Sequence, residues 1–327
     1  MNGKVPSVTV LIAARPGQAE IKAVLASQAL EYPAGKLEIL VARGKQPSVQ
    51  RNAGIKSARG ELIYFLDDDS VPPPSNLTSA VETFSDSSVQ MLGGPNCCPP
   101  DAPPLEQVFA LVLGSWLAFG PSRARYLAVG KKRETSEKEL ILCNLLARKE
   151  PLIQMGGFNE ALYPNEENAL MDELQKNGGK LIYDPEFLVY RRPRSNVKAF
   201  AKMLLTYGRG RAEQFRQHPT FGSVLNFVPP IFLLYVLFLI GLPFVPVHSL
   251  IRLALLVPLL FYFLILAGQM CALIPRGGLL RSIAAAPLIV LSHLLYGAGF
   301  WRGLFFTRFK PPEQRMSQAE VILEKVL

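Results

Sequence analysis

Three stretches of this chain, 217–251, 253–275 and 282–301, contain no Asp, Glu, Lys or Arg. Each is long enough to cross a bilayer core of about 30 Å, which takes about 20 apolar residues. The sequence therefore predicts an α-helical membrane domain over 221–307, with spans near 224–246, 251–274 and 283–305. In front of it, the 327 residues leave room for one large folded domain, expected over 1–193. A basic interfacial helix over 194–220 is expected to join the two, and 308–327 to form a tail.

Charge sets the expected orientation. The 35 Lys and Arg exceed the 26 Asp and Glu, for a net +9. Much of the surplus lies just before the first span, at Arg191, Arg192, Arg194, Lys198, Lys202, Arg209, Arg211 and Arg216. That placement suits anionic lipid and the positive-inside rule rather than nucleic acid, which is not expected as a partner. The N-terminus lacks the basic-then-apolar pattern of a secretion signal, so the first domain is expected on the cytoplasmic side of the cytoplasmic membrane. Arg276 and Arg281 then fall inside, but a full third crossing would carry Arg308, Lys310 and Arg315 outside. The segment around His293, Gly297 and Gly299 is thus read either as a span or as a re-entrant or kinked element. His218, His248 and His293 are scattered, and His293 is expected to hydrogen-bond a neighbouring helix. Cys97, Cys98, Cys143 and Cys271 show no metal-ligand spacing and no disulfide framework.

The soluble part alternates apolar runs with helical patterns: strands at 8–13, 37–42 and 62–66, helices at 20–30 and 49–58. Such alternation predicts an α/β fold with a mostly parallel sheet, whose ligands bind at the strand tips. Asp67, Asp68 and Asp69 directly follow the third run. Three adjacent acids repel one another, so either a solvated acidic turn or a bound hard cation is expected there. A glycine-rich dinucleotide fingerprint is missing after the first strand, which reads Ala13-Ala14-Arg15-Pro16-Gly17, and there is no phosphate-loop lysine motif.

Val8 to Arg15, then Gln50-Arg51-Asn52-Ala53-Gly54, Phe65-Leu66-Asp67-Asp68-Asp69, and Gly156-Gly157-Phe158-Asn159-Glu160 ahead of Asn165-Glu166-Glu167-Asn168 occur in that order. Together they resemble the signature of family 2 glycosyltransferases with a GT-A fold. Tyr207-Gly208-Arg209-Gly210-Arg211, with Arg191-Arg192-Pro193-Arg194 before it, resembles the membrane-bound, succinoglycan-type members that build exopolysaccharides. The resemblance implies a GT-A-like nucleotide-sugar-binding domain and inverting transfer of one sugar from a nucleotide-sugar donor. It also implies a Mg²⁺ or Mn²⁺ cofactor and a lipid or lipid-linked acceptor at the membrane. Asp69, with Asp67, is implied as metal ligand. Ala13, Arg15, Arg43, Arg51, Asn52, Asp67 and Asp68 are implied around the donor, and Glu167 or Glu166 as the base. Glu167 stands where the family carries Asp. Ala42-Arg43-Gly44 stands where an Asp usually contacts the nucleotide base, so the base need not be uracil.

The basic stretch has two compatible readings, an amphipathic helix on the membrane face or a cap in which Arg209 and Arg211 hold the donor phosphates. Arg123 to Glu139 is read most simply as a solvated loop, with an acceptor lid as the alternative. Three other functions stay in view: a polyprenyl-phosphate glycosyltransferase, a processive synthase, which lacks its usual Gln-x-x-Arg-Trp pattern here, and a non-catalytic membrane scaffold that binds a nucleotide sugar.

Overall fold

The computed structural model describes residues 5–160, 165–217, 219, 221–307 and 321–327. His218, Arg308, Lys310 and Arg315, singled out above, lie outside the described residues. Two compact units emerge, one of Met1–Pro100, Pro121–Arg192 and Phe309–Leu327, the other of Asp101–Gly120 and Pro193–Arg308.

The first unit runs β1 (Val8–Ala14), α1 (Lys22–Gln28), β2 (Leu37–Arg43), α2 (Pro47–Ser57), β3 (Leu62–Asp67), α3 (Asn76–Ala80), β4 (Val89–Gly93) and β5 (Asn96–Cys97). The chain then contributes α4 (Pro104–Leu113) and α5 (Trp116–Phe119) to the second unit. It returns as β6 (Arg133–Thr135), β7 (Asn144–Arg148), α6 (Lys149–Gln154), α7 (Glu166–Lys176), β8 (Lys180–Tyr183) and β9 (Val189–Tyr190). The second unit continues with α8 (Val197–Gln217), α9 (Val228–Gly241) and α10 (Ser249–Phe305), and β10 (Ile322–Lys325) belongs to the first.

The eight-stranded sheet has the order β10-β2-β1-β3-β7-β4-β8-β6, and β5 pairs with β9 apart from it. β2, β1 and β3 are parallel, as the alternation of strands and helices requires. β7 runs antiparallel to β3 and β4, and β10 and β6 are antiparallel edge strands, so the sheet as a whole is mixed. The continuous apolar runs have a direct cause. Val8, Val10 and Ile12 enter one core with Ile39, Val41, Leu62, Tyr64 and Leu66, while Leu11, Leu40, Ile63 and Phe65 enter the core on the opposite face. A strand covered on both faces must be apolar at every position. The segment from Arg123 to Glu139 is ordered rather than a solvated loop: β6 pairs with β8, and Arg125 is buried, donating to Lys138 O at 2.9 Å and to Asn168 Oδ1 at 2.6 Å.

Among the described residues of the second unit, two stretches are long and apolar enough to cross a membrane, Val224–Phe244 and Ser249–Phe305, whose most apolar 18-residue segments have mean hydropathy 2.3 and 2.5. α10 is two helices joined at Gly278, where φ is 73°. Most apolar side chains before that break are exposed, among them Leu250, Leu253, Leu260, Phe261 and Leu264. Beyond it the helix buries Ile289, His293, Gly299 and Phe300. His293 is hydrogen-bonded between helices, as its apolar setting demands. Nε2 donates to Leu117 O at 2.9 Å, which leaves Nδ1 to accept from the Tyr262 hydroxyl at 2.9 Å. Leu117 N–H in turn donates to Gln269 Oε1 at 3.0 Å, and Phe109 stacks on Phe200 with ring centroids 4.3 Å apart. These contacts draw Asp101–Gly120 into the helical unit.

Candidate active site

The register aligns Arg43 with Ala14, Ala42 with Ala13, and Ala13 with Asp67, so the tips of β2, β1 and β3 end side by side. Arg15 follows, exposed, just past the end of β1. Behind these tips stands α2, and its motif has a separate task at each polar position. Gln50 Nε2 donates to Ala14 O at 2.7 Å and to Ala42 O at 2.6 Å, stitching two strand ends together. Asn52 Oδ1 accepts from Phe158 N–H at 2.8 Å, while its Nδ2 donates to Phe158 O at 2.9 Å and Glu160 Oε1 at 2.8 Å. Gly54 lets α2 lie against β1, because a Cβ there would stand 2.2 Å from Leu11 Cδ1.

Asn52 therefore differs from its expected place at the donor. Its amide is spent on the turn that carries Gly156 and Gly157. Gly157 has φ 81° and a Cβ on it would sit 2.4 Å from Asn52 Oδ1, so only glycine permits this clamp. Arg43 also has other work. Nε pairs with Glu324 of β10 at 2.8 Å, and Nη1 donates to Gln18 O at 2.7 Å.

Arg51 is the hub. It is 7% exposed, Nη2 lies 3.1 Å from Asp67 Oδ1, and Nη1 lies 3.2 Å from Glu166 Oε1. A second guanidinium, Arg191, lies 3.2 Å from Asp67 Oδ2 through Nη1 and pairs with Asp69 through Nε. The result is an alternating row of carboxyl and guanidinium groups, Asp69, Arg191, Asp67, Arg51, Glu166. The repulsion expected within the acidic triplet is thus offset by two arginines of the same chain. Asp68 lies in the turn after β3, where its carbonyl accepts from Ala23 N–H at 3.1 Å.

Glu166 and Glu167 open α7, whose N-terminus favours acids. Asn165 before them has φ 93°, a left-handed conformation that Asn tolerates and most residues do not. Burial pushes the Glu166 carboxyl up to about 8, with the neighbouring Glu167 adding to the rise and Arg51 opposing it. Burial thus shifts Glu166 toward its protonated form, while Glu167 is less buried.

The structure thus gathers Ala13, Arg43, Arg51, Asn52, Asp67, Asp68, Asp69, Glu166 and Glu167 in the first unit, whereas Arg209 and Arg211 belong to α8 of the second. There Arg209 pairs with Glu213 at 3.4 Å and Arg211 donates to Gln214 at 3.1 Å. Gly208, beside them, brings α8 against α10, since a Cβ there would stand 2.0 Å from Tyr296 O. Sequence reasoning missed two contributors. Gln50 was visible in its motif, but only as a label. Arg191 was counted with the membrane-facing basic residues.

Comparison with known proteins bears on this arrangement directly. Residues 25–101, from α1 through the acidic triplet to β5, match the family model described as Glycosyl transferase family 2. Over that stretch the chain is similar to a family 2 glycosyltransferase domain. The pre-mycofactocin glycosyltransferases of Mycobacterium tuberculosis strains CDC 1551 / Oshkosh and ATCC 25618 / H37Rv are each 25% identical over 186 residues, 54% of this chain and 36% of the relative's length. The chain therefore matches little more than a third of these curated relatives. Among solved structures, the mannosyltransferase PcManGT of Pyrobaculum calidifontis, in complex with GDP-Man and Mn²⁺, has a TM-score of 0.54 at 16% identity, covering 93% of this chain and 89% of that one. That likeness fixes the fold of the first unit as GT-A-like.

Proposed function

We propose that this chain is a membrane-anchored inverting glycosyltransferase that moves one sugar from a nucleotide-diphosphate sugar to a lipid or lipid-linked acceptor on the cytoplasmic face, in polysaccharide or glycolipid synthesis. The observation that carries this reading is Arg51. One buried guanidinium ties the acid at the strand tip, where a donor binds, to the acid that opens α7, where an acceptor is activated. The solved mannosyltransferase binds GDP-Man and Mn²⁺ on the same fold, which supports a nucleotide-sugar donor here.

Asp69 and Asp67 offer hard carboxylate oxygens from one strand tip, a donor set that suits Mg²⁺ or Mn²⁺ when water and phosphate oxygens complete the shell. Among the described residues no group of three His, Cys, Asp or Glu side chains gathers for a metal, which is consistent with a site the donor helps to build. A metal there would neutralise the departing diphosphate. The chain's own residues do the rest. Arg15, exposed beyond β1, takes the nucleotide base or a phosphate. Arg51 holds Asp67 and Glu166 at a fixed separation. Glu167 accepts the acceptor's hydroxyl proton as that oxygen attacks the anomeric carbon from the face opposite the leaving group. Glu166, in its protonated form, donates a hydrogen bond instead.

The membrane reading rests on apolar side chains left exposed along Val224–Phe244 and the first part of α10. Connectivity supports two crossings. β10 pairs with β2 in the sheet that the N-terminal strands build, so the chain returns to the side it left, after an even number of crossings. The part of α10 beyond Gly278 packs on α8, which carries Lys198, Lys202, Arg209, Arg211 and Arg216. A helix so charged belongs at an interface rather than in hydrocarbon. Reporters fused to the two termini should both read cytoplasmic; an active alkaline phosphatase at the C-terminus would refute this topology.

The test of function is nucleotide release by the detergent-purified chain from UDP-, GDP-, dTDP- and CMP-sugars, with Mn²⁺ or Mg²⁺ and with chelator. Metal-dependent release from one donor is expected. No release from any, with membrane lipids added, would leave a nucleotide-sugar-binding scaffold.

A further inference from the structure

The two acids read above as metal ligands already have a cation between them. Arg191 reaches Asp67 Oδ2 through Nη1 at 3.2 Å and Asp69 Oδ1 through Nε. Its place is built into the sheet rather than left to a mobile surface side chain. Tyr190 and Val71 exchange both backbone hydrogen bonds at 2.9 Å, and Arg191 N–H donates to Cys97 O at 2.9 Å. The side chain therefore leaves a fixed backbone directly beside the turn that carries Asp69, and it is only 22% exposed. An arginine does not vacate such a position by losing its proton. Only another cation for the acids, or another anion for the arginine, can separate them. Asp67 has its other oxygen on Arg51 at 3.1 Å, so both of its oxygens are engaged by guanidinium.

We infer that Arg191 is the resident counter-cation of Asp67 and Asp69 and competes with the divalent metal for them, so that it sets the metal affinity of the donor site. The inference rests on the proposed function for the identity of the ligands. It goes further by coupling the two cations. Without donor, the arginine holds the acids and metal binds weakly. With donor, the diphosphate offers the displaced guanidinium a bidentate anionic partner, and metal binds well. Metal and donor then favour each other's binding reciprocally, as linkage requires.

The experiment measures Mn²⁺ binding to the detergent-solubilised full chain, without nucleotide, from the electron paramagnetic resonance signal of free Mn²⁺. Variants R191Q and R191K are compared with wild type, and circular dichroism follows their folding. R191Q should bind Mn²⁺ about tenfold more tightly than wild type, because a competing unit charge within about 4 Å of the ligands is removed. R191K, which keeps the charge but loses the fork that spans two carboxylates, should fall between them. An arginine that merely holds the fold together predicts the opposite sign. Unchanged or weaker binding in R191Q overturns the inference. If R191Q does not fold, R191K decides alone: tighter binding than wild type supports the competition and equal or weaker binding overturns it. Nucleotide release is recorded in parallel. Tighter Mn²⁺ binding without release from any donor would sink the proposed function and leave Arg191's role standing, whereas release without tighter binding would sink only the inference.

Discussion

The two units handle polar and apolar groups in opposite ways. In the α/β unit, buried polar side chains such as Gln50, Arg51, Asn52 and Asn144 find partners on other strands and turns. In the helical unit, Arg209 and Arg211 pair within one turn of their own helix, while large apolar side chains such as Leu250, Leu260 and Phe261 stay uncovered. The helical unit leaves apolar helix faces exposed, whereas the α/β unit ties the buried polar side chains around its strand tips to one another and to the backbone. The proposed chemistry falls where polar groups are dense, at the tips of β1, β2 and β3.

The sharpest way to break this division is Asp69→Ala. If the strand tips hold the chemistry, metal-dependent nucleotide release should fall by about three orders of magnitude. Stability should not fall with it, because the change also removes one carboxylate from a crowded turn. Undiminished release would deny Asp69 its place at the metal.

Next in size is a contrast between arginines. Arg51→Ala strips a buried counter-charge from Asp67 and a hydrogen-bond donor from Glu166 and should cost about 3 kcal/mol, read as a lower urea midpoint for the α/β unit. Arg209→Ala, which breaks an i,i+4 pair on α8, should cost about 0.5 kcal/mol. Equal costs would mean that the two units use charge alike. Within the helices, close approach matters more than charge. A Cβ on Gly299 would stand 2.1 Å from Leu205 O, so Gly299→Val should force α8 and α10 apart at a cost of about 2 kcal/mol, seen as a lower apparent Tm in detergent.

The parallel strands were legible because a strand buried on both faces leaves an unbroken apolar run, and the acidic tip was legible because three adjacent acids need an explanation. The site's wiring was not. Arg191 meets Asp69 across 122 residues, and nothing local distinguishes it from the other basic residues that follow. Asn52 illustrates a different limit. A motif names a residue without saying whether its amide faces a ribose or the neighbouring Gly156-Gly157 turn, and here the turn takes it. Asp101–Gly120 left the α/β unit unnoticed because an amphipathic run such as α4 reads the same against a sheet or against helices. β10 is short, half-exposed and separated from β2 by the whole helical unit, so local pattern carries no sign of their pairing.

A last comparison tests how the acid pair divides its work. Glu166 titrates near 8 in the folded protein against 4.5 in the unfolded chain. Between those values the folded state holds a proton that the unfolded state has released, so this group lowers stability as pH rises from 4.5 to about 8 and adds nothing further beyond. Glu166→Gln cannot titrate. Its apparent Tm should therefore vary less with pH, so that it gains stability relative to wild type between pH 5 and pH 8. Turnover at pH 7 should largely survive, because glutamine donates a hydrogen bond as the protonated acid does. Glu167→Gln should lower turnover by about a hundredfold if an acceptor hydroxyl must lose its proton there. Retained turnover would instead favour a polyprenyl-phosphate acceptor, whose oxygen is already ionised and needs no base. An unchanged pH slope in Glu166→Gln would mean that Glu166 is charged in the folded protein, and the role of base would pass to it.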